Sequence, residues 1–541
     1  MIGIINKHWP FIITVGILWI VVAILLTLSL RQTQGHLVYV LDDPYVHMAV
    51  AKNLAHYGVW GVTKYGFSSS TSSILWPLLL YFVYSSLGVN DITPFILNVV
   101  LATIMVWLIY AILKRYNVTP TFIITILLIL VLATPIPLLI FSGHEHILHA
   151  IVNISLIYLS AKLLSNEDTQ NKKNFYFYKI TLLLLSLIVT MSRYEGLFSI
   201  IVICIVFLVY KKYFFSFCLG FIGIIPIIIY GIISISNGWY FLPNSVYLKG
   251  SMPDGFTIWN LINFFYTGFQ YLQLIPSLFH LILISLIIFI FQYNKKNGKL
   301  SESEIMIIIF ILTTIIHIEF IRNIWFYRRE AYLVASGIFV IAAALPLQFA
   351  NLTSSLLNKS LLKNIAITIL AFILILPFLE RGVSSLFNIF KASKNIYEQQ
   401  YQMGLFFKQY YQGEIVAAND IGAINYLSEI KNFDLWGLGS MEVARAKINN
   451  DYNTDKIYEL GKSKNVKIAI VYDHWLMYYG GIPSKWKNVG TWSITNNVVC
   501  GGNTVSFYAV DSLEVPNLTA NLKEFSTQLP KDVIQRGEYI K

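Results

Sequence analysis

Apolar stretches close to the ~20 residues that cross a bilayer recur about a dozen times before residue 380. They lie near 10–30, 74–88, 92–113, 119–141, 147–163, 178–191, 197–210, 213–235, 272–292, 304–321, 332–348 and 363–379. A soluble core has no room for so many. The chain is therefore expected to be a polytopic α-helical membrane protein of about 11–13 transmembrane helices. The first stretch follows Lys7 and His8 and lacks a small-residue cleavage site, which predicts a retained signal anchor with a cytoplasmic N-terminus. Composition agrees: 12% of residues are charged, against about 25% in soluble domains. A disordered chain, a nucleic-acid module and an ordinary cytosolic enzyme are excluded as readings of the whole.

Charge divides the chain in two. Residues 381–541 hold 17 Lys/Arg and 15 Asp/Glu, whereas the first 380 hold 22 and 13. Most of the net charge of +11 thus belongs to the membrane part. It fits positive-inside loops and anionic membrane lipids, and no basic tract interleaved with aromatics points to nucleic acid. Beyond residue 380, short β-rich runs (415–418, 466–472, 504–510) alternate with helical segments at 401–411 and 441–447. This predicts a transmembrane domain over 1–380 and an α/β domain over 381–541. Cys204, Cys218 and Cys500 show no spacing of a disulfide framework or metal knuckle.

Lys172/Lys173, Lys211/Lys212, Lys295/Lys296 and Lys359/Lys363 mark one side as cytoplasmic. The other side then receives 31–73, 142–146, 192–196, 236–265, 322–331 and the tail. One region resists. Between residues 31 and 142 an even number of crossings is required, yet three apolar stretches occur, and Lys114/Arg115 fall on the wrong side. Either Ala133-Thr134-Pro135-Ile136-Pro137 divides two half-helices, or 74–88 does not span.

Unusual residues gather in the outer loops. In 31–73, Asp43 and Pro44 suit the N-cap and first position of a helix that Gly58 would end. Val46, Ala49, Val50, Asn53, Leu54 and Tyr57 share one face, with His47, Lys52 and His56 largely off it. The pattern predicts an amphipathic helix along the membrane surface, holding Asp42 and Asp43 at the water–lipid boundary. Adjacent carboxylates raise the pKa of one partner, which suits a general base or a cation ligand; a cap plus a solvated acid is the plainer alternative. Ser142-Gly143-His144-Glu145-His146 sets an acid between two histidines, as a helix-end cap or a metal ligand set. Arg193, near Glu195, ends an apolar run, as a phosphate ligand or a snorkelling residue. Trp239 to Gly250 brings Asn244, Tyr247 and Lys249 together, in a phosphate-binding loop or an interfacial aromatic belt. Arg322, Arg328 and Arg329 lie where positive charge is scarce and want an anionic partner. A lipid-linked phosphate meeting a hydroxyl-bearing acceptor would use all of these.

These blocks resemble the GT-C class of glycosyltransferases, which use polyprenyl-phosphate sugars. More narrowly, they resemble the terminal arabinofuranosyltransferases of actinobacterial cell walls and their bacterial relatives. Asp42-Asp43-Pro44-Tyr45, with Ala51-Lys52-Asn53-Leu54-Ala55 and Ser72-Ser73-Ile74-Leu75-Trp76, is similar to the first-loop block. Gly143-His144-Glu145, Arg193-Tyr194-Glu195-Gly196 and Leu242-Pro243-Asn244-Ser245-Val246-Tyr247-Leu248-Lys249 resemble later ones. Asn419-Asp420-Ile421-Gly422-Ala423-Ile424-Asn425-Tyr426 and Asp434-Leu435-Trp436-Gly437-Leu438 resemble the soluble domain.

The resemblance implies a GT-C-like membrane fold with an extracytoplasmic C-terminal α/β domain. The implied reaction is transfer from a polyprenyl-phosphate sugar to a cell-envelope glycan or glycolipid, at the outer face of a bacterial cytoplasmic membrane. Asp42 takes the role of base, and Asp43 assists, orients it or caps the helix. Arg193, Lys249, Asn244, Tyr247, Arg322, Arg328 and Arg329 are expected on the donor phosphate, and His144, Glu145 and Glu195 as acceptor-side or orienting groups. No cofactor is required, although Asp42, Asp43 and Glu145 could share one hard cation such as Mg, Mn or Ca. The alternatives are a polytopic ligase or flippase acting on polyprenyl-diphosphate glycans, which needs no paired Asp in its first loop, and a secondary transporter. The latter would place its polar residues near the bilayer midplane.

Overall fold

The computed structural model describes residues 2–165, 172–251, 255, 257–293, 299–322, 325–345 and 361–540, with the backbone alone at 2–7, 172–173 and 361–372. The apolar stretches form helices α1 (Ile2–Gln32), α3 (Leu75–Leu87), α4 (Thr93–Leu113), α5 (Pro120–Ala133) and α6 (Ile136–Phe141). They continue as α7 (His146–Ser165), α8 (Lys172–Ser192), α9 (Gly196–Val209) and α10 (Tyr213–Ser236). After α10 come α13 (Pro276–Tyr293), α14 (Glu302–Phe320), α15 (Ala331–Ala344) and a long helix, Leu361–Ile396. Between them lie α2 (Asp43–Tyr57), α11 (Asn244–Lys249) and α12 (Ile258–Gln273). Eight of the described helices are long and apolar enough to cross a membrane, and α3, α5, α9 and α15 are shorter apolar helices.

Contacts at the helix ends fix the topology. At one end, the Tyr110 hydroxyl is 3.0 Å from His8 Nδ1, Arg115 donates to Tyr158 at 3.1 Å, and Tyr116 donates to Glu302 at 2.6 Å. At the other end sits the C-terminal domain. Helix α3 begins beside Met191, whose carbonyl accepts from Ile74 N at 3.0 Å. Just past its end, Asp91 accepts from Tyr426 of the domain at 2.5 Å. Both ends of α3 therefore lie at the domain end, and 74–88 does not cross. The break at Thr134-Pro135 is also present, dividing α5 from α6. With α3 set aside, the eight long helices and the shorter α5, α9 and α15 make eleven apolar helices among the described residues. Lys114 and Arg115 now share an end with Lys211 and Lys212, so their apparent misplacement disappears. Of the other marker lysines, Lys295, Lys296 and Lys359 lie outside the described residues, and the side chains of Lys172, Lys173 and Lys363 are not described.

Three expectations are corrected. Helix α2 does not lie on lipid: Pro44 to Ala51 are all buried, His47 included, because the domain covers the side opposite the bundle. Lys52 Nζ donates to the Tyr426 carbonyl at 2.5 Å across that interface. Nor does Asp43 cap α2. The helix starts at Asp43, and the preceding Asp42 makes no side-chain cap bond. The loop expected over 236–265 contains α11 and the first half of α12. Residues Ile258, Trp259, Ile262, Phe265, Tyr266 and Phe269 of α12 form one exposed stripe at helical spacing, while Gly268 packs on Glu319 of α14.

The long helix runs through residue 381, and helix Gln402–Tyr410 leads into the sheet. Strands β1 (Ile415–Ala418), β2 (Lys431–Asp434), β3 (Ile468–Val471), β4 (Lys487–Ser493), β5 (Thr504–Ala509) and β6 (Ile534–Gly537) have the spatial order β2-β1-β3-β5-β4-β6. β1 is parallel to both neighbours, and the rest pair antiparallel. Chain order reverses about β1, and ligand crevices of open α/β sheets lie at the carboxyl ends of strands at such a point. Here that edge faces the bundle.

Candidate active site

A cavity of about 490 Å³ opens where the domain ends of α9 and α14 meet the domain edge. Leu197, Phe198 and Ile201 of α9 and Ile316 and Phe320 of α14 form its apolar wall, and Ile421 and Leu438 of the domain close it. Opposite lie Asp43, His47, Arg193, Glu195, Lys249, Arg328 and Arg329. Four cations thus face two carboxylates.

Asp43, at the start of α2, forms an ion pair with Arg328 through Oδ2. Burial pushes its carboxyl upward, but Arg328 and then Lys249 outweigh that and hold it well below the usual range. Its other oxygen takes no hydrogen bond among the described residues, and the side chain is 41% exposed, into the cavity. Arg328 is itself aimed by His144. The Ser142 carbonyl, 2.7 Å from His144 Nδ1, can only accept, which fixes the proton on Nδ1. Nε2 then accepts from Arg328 Nη1 at 3.1 Å. Burial and Arg328 keep this histidine neutral, well below its ordinary value. The turn before it requires glycine: Gly143 has φ +66°, and a Cβ there would strike Tyr39 and Pro44.

Arg193 is held between two acids, donating to Glu145 at 2.6 Å and Glu195 at 2.7 Å. Burial would raise Glu195, but Arg193 brings it down to about 2. Glu145 is fully buried, and its second oxygen lies 3.6 Å from His47 Nε2. Lys249 and Arg329 differ in kind: among the described residues neither makes an ion pair. Burial, and then Arg328, push Arg329 down to about 10. Burial lowers Lys249 as well, against the pull of Asp43. Partly desolvated cations that form no ion pair among the described residues have hydrogen-bond donors left for an anion.

Other expected residues lie elsewhere. Asp42 does not line the cavity; its Oδ2 and Oδ1 accept from Gly422 N and Ala423 N, each at 2.8 Å, docking the first loop onto the domain. Burial, Asp420 and Asp43 push its carboxyl well above the usual range. Asn244 is buried and donates to the Gly437 carbonyl at 2.8 Å, so it too joins loop to domain. Tyr247 lines the cavity, its ring 5.1 Å from Tyr240. Arg322 is turned away, donating to the Phe264 carbonyl at 2.8 Å with Glu319 beside it. The carboxylates of Asp42, Asp43 and Glu145 point to three separate partners, and among the described residues no three His, Cys, Asp or Glu side chains group to hold a metal. Residues not singled out also enter: His47, Tyr194 and Ser70-Thr71-Ser72 line the cavity. His47 follows Asp43 by four residues and so shares its helix face, a signal present in the spacing.

A second cavity, about 530 Å³, lies on the other face of the 325–330 loop, lined by Glu330, Glu380, Arg381, Ser384 and Asn388 among apolar residues.

Comparison with known proteins bears on the fold. Residues 394–508 match the family model described as Domain of unknown function (DUF8728). No curated protein matches the chain. Among solved structures, ArnT from Cupriavidus metallidurans bound to undecaprenyl phosphate is similar, with TM-score 0.50, 10% identity, 92% of this chain and 98% of that chain covered. Its apo state gives TM-score 0.50 at 11% identity, with the same coverage. The apo oligosaccharyltransferase of Archaeoglobus fulgidus gives 0.48 at 12%, covering 94% of this chain and 75% of that one. The protein has a GT-C membrane fold with a C-terminal sheet-containing domain.

Proposed function

We propose that this protein is an integral-membrane glycosyltransferase that moves a sugar from a polyprenyl phosphate to a hydroxyl of a cell-envelope glycan or glycolipid. The observation that carries the reading is the pair Lys249 and Arg329, which form no ion pair among the described residues, in a cavity whose other wall is apolar and lies at the ends of membrane helices. A phosphate on a long apolar chain matches both walls. ArnT, similar in fold, has been captured with undecaprenyl phosphate, which supports such a donor.

In this reading the acceptor oxygen attacks the anomeric carbon as the bond from that carbon to the phosphate oxygen breaks. The phosphate leaves with the electron pair onto Lys249, Arg328 and Arg329, and the acceptor proton passes to the free oxygen of Asp43. The base thus moves one residue from Asp42, whose oxygens are both occupied by the domain. A carboxylate held low by Arg328 and Lys249 is a weak base in the empty cavity. Donor phosphate would neutralise those cations and raise Asp43 toward its ordinary value, so the base strengthens when substrate is present. His144 orients Arg328, and Glu145 and Glu195 hold Arg193 beneath the site. No added cofactor is needed, since the lining cations can meet the leaving charge; EDTA should leave turnover unchanged. The N-terminus and basic turns would face the cytoplasm, and the cavity and domain the exterior. The first-loop resemblance makes an arabinofuranose donor the first to try.

The test is release of polyprenyl phosphate by purified protein in lipid nanodiscs given polyprenyl-phosphate sugars and envelope glycans. Release that disappears in Arg329→Gln/Lys249→Gln supports the reading. Joining of polyprenyl-diphosphate glycans at full rate in Asp43→Asn would replace it with a ligase.

A further inference from the structure

Arg328 and Arg329 project into the first cavity from the turn at 325–330. Phe326 and Tyr327 have φ of +51° and +61°, successive side-chain-bearing residues in the left-handed region, which persist only when surrounding structure over-determines them. Asn388 donates to the Tyr327 hydroxyl at 3.4 Å, and Asp43 and His144 meet Arg328, but one side chain outside the loop grips its backbone. Arg381, 8% exposed on the long helix, donates from Nη2 to the Tyr327 carbonyl at 2.8 Å, and from Nη1 to Glu330 Oε1 at 2.7 Å. Its Nε donates to the Ala133 carbonyl, at the end of α5, at 3.0 Å, and its guanidinium lies over the Tyr327 ring. The anchor is fixed in turn by Gly382, where a Cβ would strike Leu132, so the helix packs closely on α5 there. The residues gripped, Tyr327 and Glu330, bracket Arg328 and Arg329.

We propose that Arg381 is a positioning residue for anion binding: by pinning Tyr327 and Glu330 to the end of α5 it sets Arg328 and Arg329 against a donor phosphate it does not touch. The inference rests on the donor reading above. The planar fork is what matters. Lysine keeps a charge opposite Glu330 but cannot make the three directed bonds.

The test measures affinity of the full chain in detergent for undecaprenyl phosphate and for undecaprenol, which lacks the phosphate. Wild type should prefer the phosphate lipid, and Arg329→Gln should lose much of that preference. Arg381→Lys should cost about tenfold in affinity for the phosphate lipid, with undecaprenol binding unchanged. In an Arg328→Gln/Arg329→Gln background it should cost nothing more, since it acts through those residues. Arg381→Gln/Glu330→Gln, which removes both charges together, should behave like Arg381→Lys and guards against a single variant that fails to fold. If Arg381→Lys keeps the phosphate preference while Arg329→Gln loses it, the inference falls and the donor reading stands. Equal weakening for both lipids would make Arg381 a general structural residue and also overturn the inference. A wild type without phosphate preference overturns the donor reading and the inference with it.

Discussion

Two cavities of nearly equal volume, about 490 and 530 Å³, lie on opposite faces of the same six-residue loop, 325–330. Size does not tell them apart. The first receives Arg328 and Arg329 from the loop and adds Arg193 and Lys249. The second receives Tyr327 and Glu330 and adds Glu380, Ser384 and Asn388; its arginine, Arg381, is already committed to three partners. Cations that form no ion pair among the described residues, rather than volume, mark where an anion would sit. The same test separates residues within the first cavity: Arg193 is paired with Glu145 and Glu195, whereas Arg329 makes no ion pair among the described residues.

The largest effect should follow from Asp43→Asn. Loss of a positioned base costs about 10²–10⁴ in turnover, so kcat for transfer should nearly vanish. Asp42→Asn should retain most turnover while lowering the thermal midpoint, since its oxygens serve the domain interface. Reversal of that order would return the base to Asp42.

Arg193→Gln sharpens the contrast between paired and unpaired cations. It strands Glu145 and Glu195, and removing one partner of a buried ion pair costs about 3–5 kcal/mol. Thermal unfolding should show a large loss of stability, with donor affinity in the surviving folded protein falling less than in Arg329→Gln.

A smaller effect, with a definite sign, is expected at the domain edge. Burial raises Asp420 to about 6, although Gln400 and Tyr472 donate to it. The folded state holds this proton above the pH at which the unfolded chain releases it. Its contribution is therefore full below the unfolded value and is lost as pH rises toward 6. Asp420→Asn removes that penalty, so it should raise stability at pH 7.5 relative to wild type by about 1–3 kcal/mol, and by less at pH 4.5. A gain independent of pH would contradict the assignment. Smallest of all, Asn388→Leu in the second cavity should leave undecaprenyl phosphate affinity within about twofold of wild type.

Much of the fold was legible because bilayer spans are written as long apolar runs. Helix α12 was not, since its apolar residues form a stripe rather than a run. Nor were β2, β4 and β6, whose sequences alternate too weakly to stand out. Within the site, loop identities were readable, but orientation was not. Whether Asp42 or Asp43 faces the cavity is decided by Gly422 and Ala423, far along the chain. Arg322 and Arg328 differ by six positions and face different elements because Phe264 and His144 claim them. The surface reading of α2 failed for the same reason: His47 and Lys52 find partners in Glu145 and Tyr426, which no local pattern reveals.

A structure determined by electron cryo-microscopy with undecaprenyl phosphate bound tests the central claim most directly. The account predicts phosphate density within hydrogen-bond distance of Lys249 and Arg329, on the same face of the 325–330 loop as Asp43, with the lipid chain along α9 and α14. Phosphate density in the second cavity, beside Ser384 and Asn388, would contradict it.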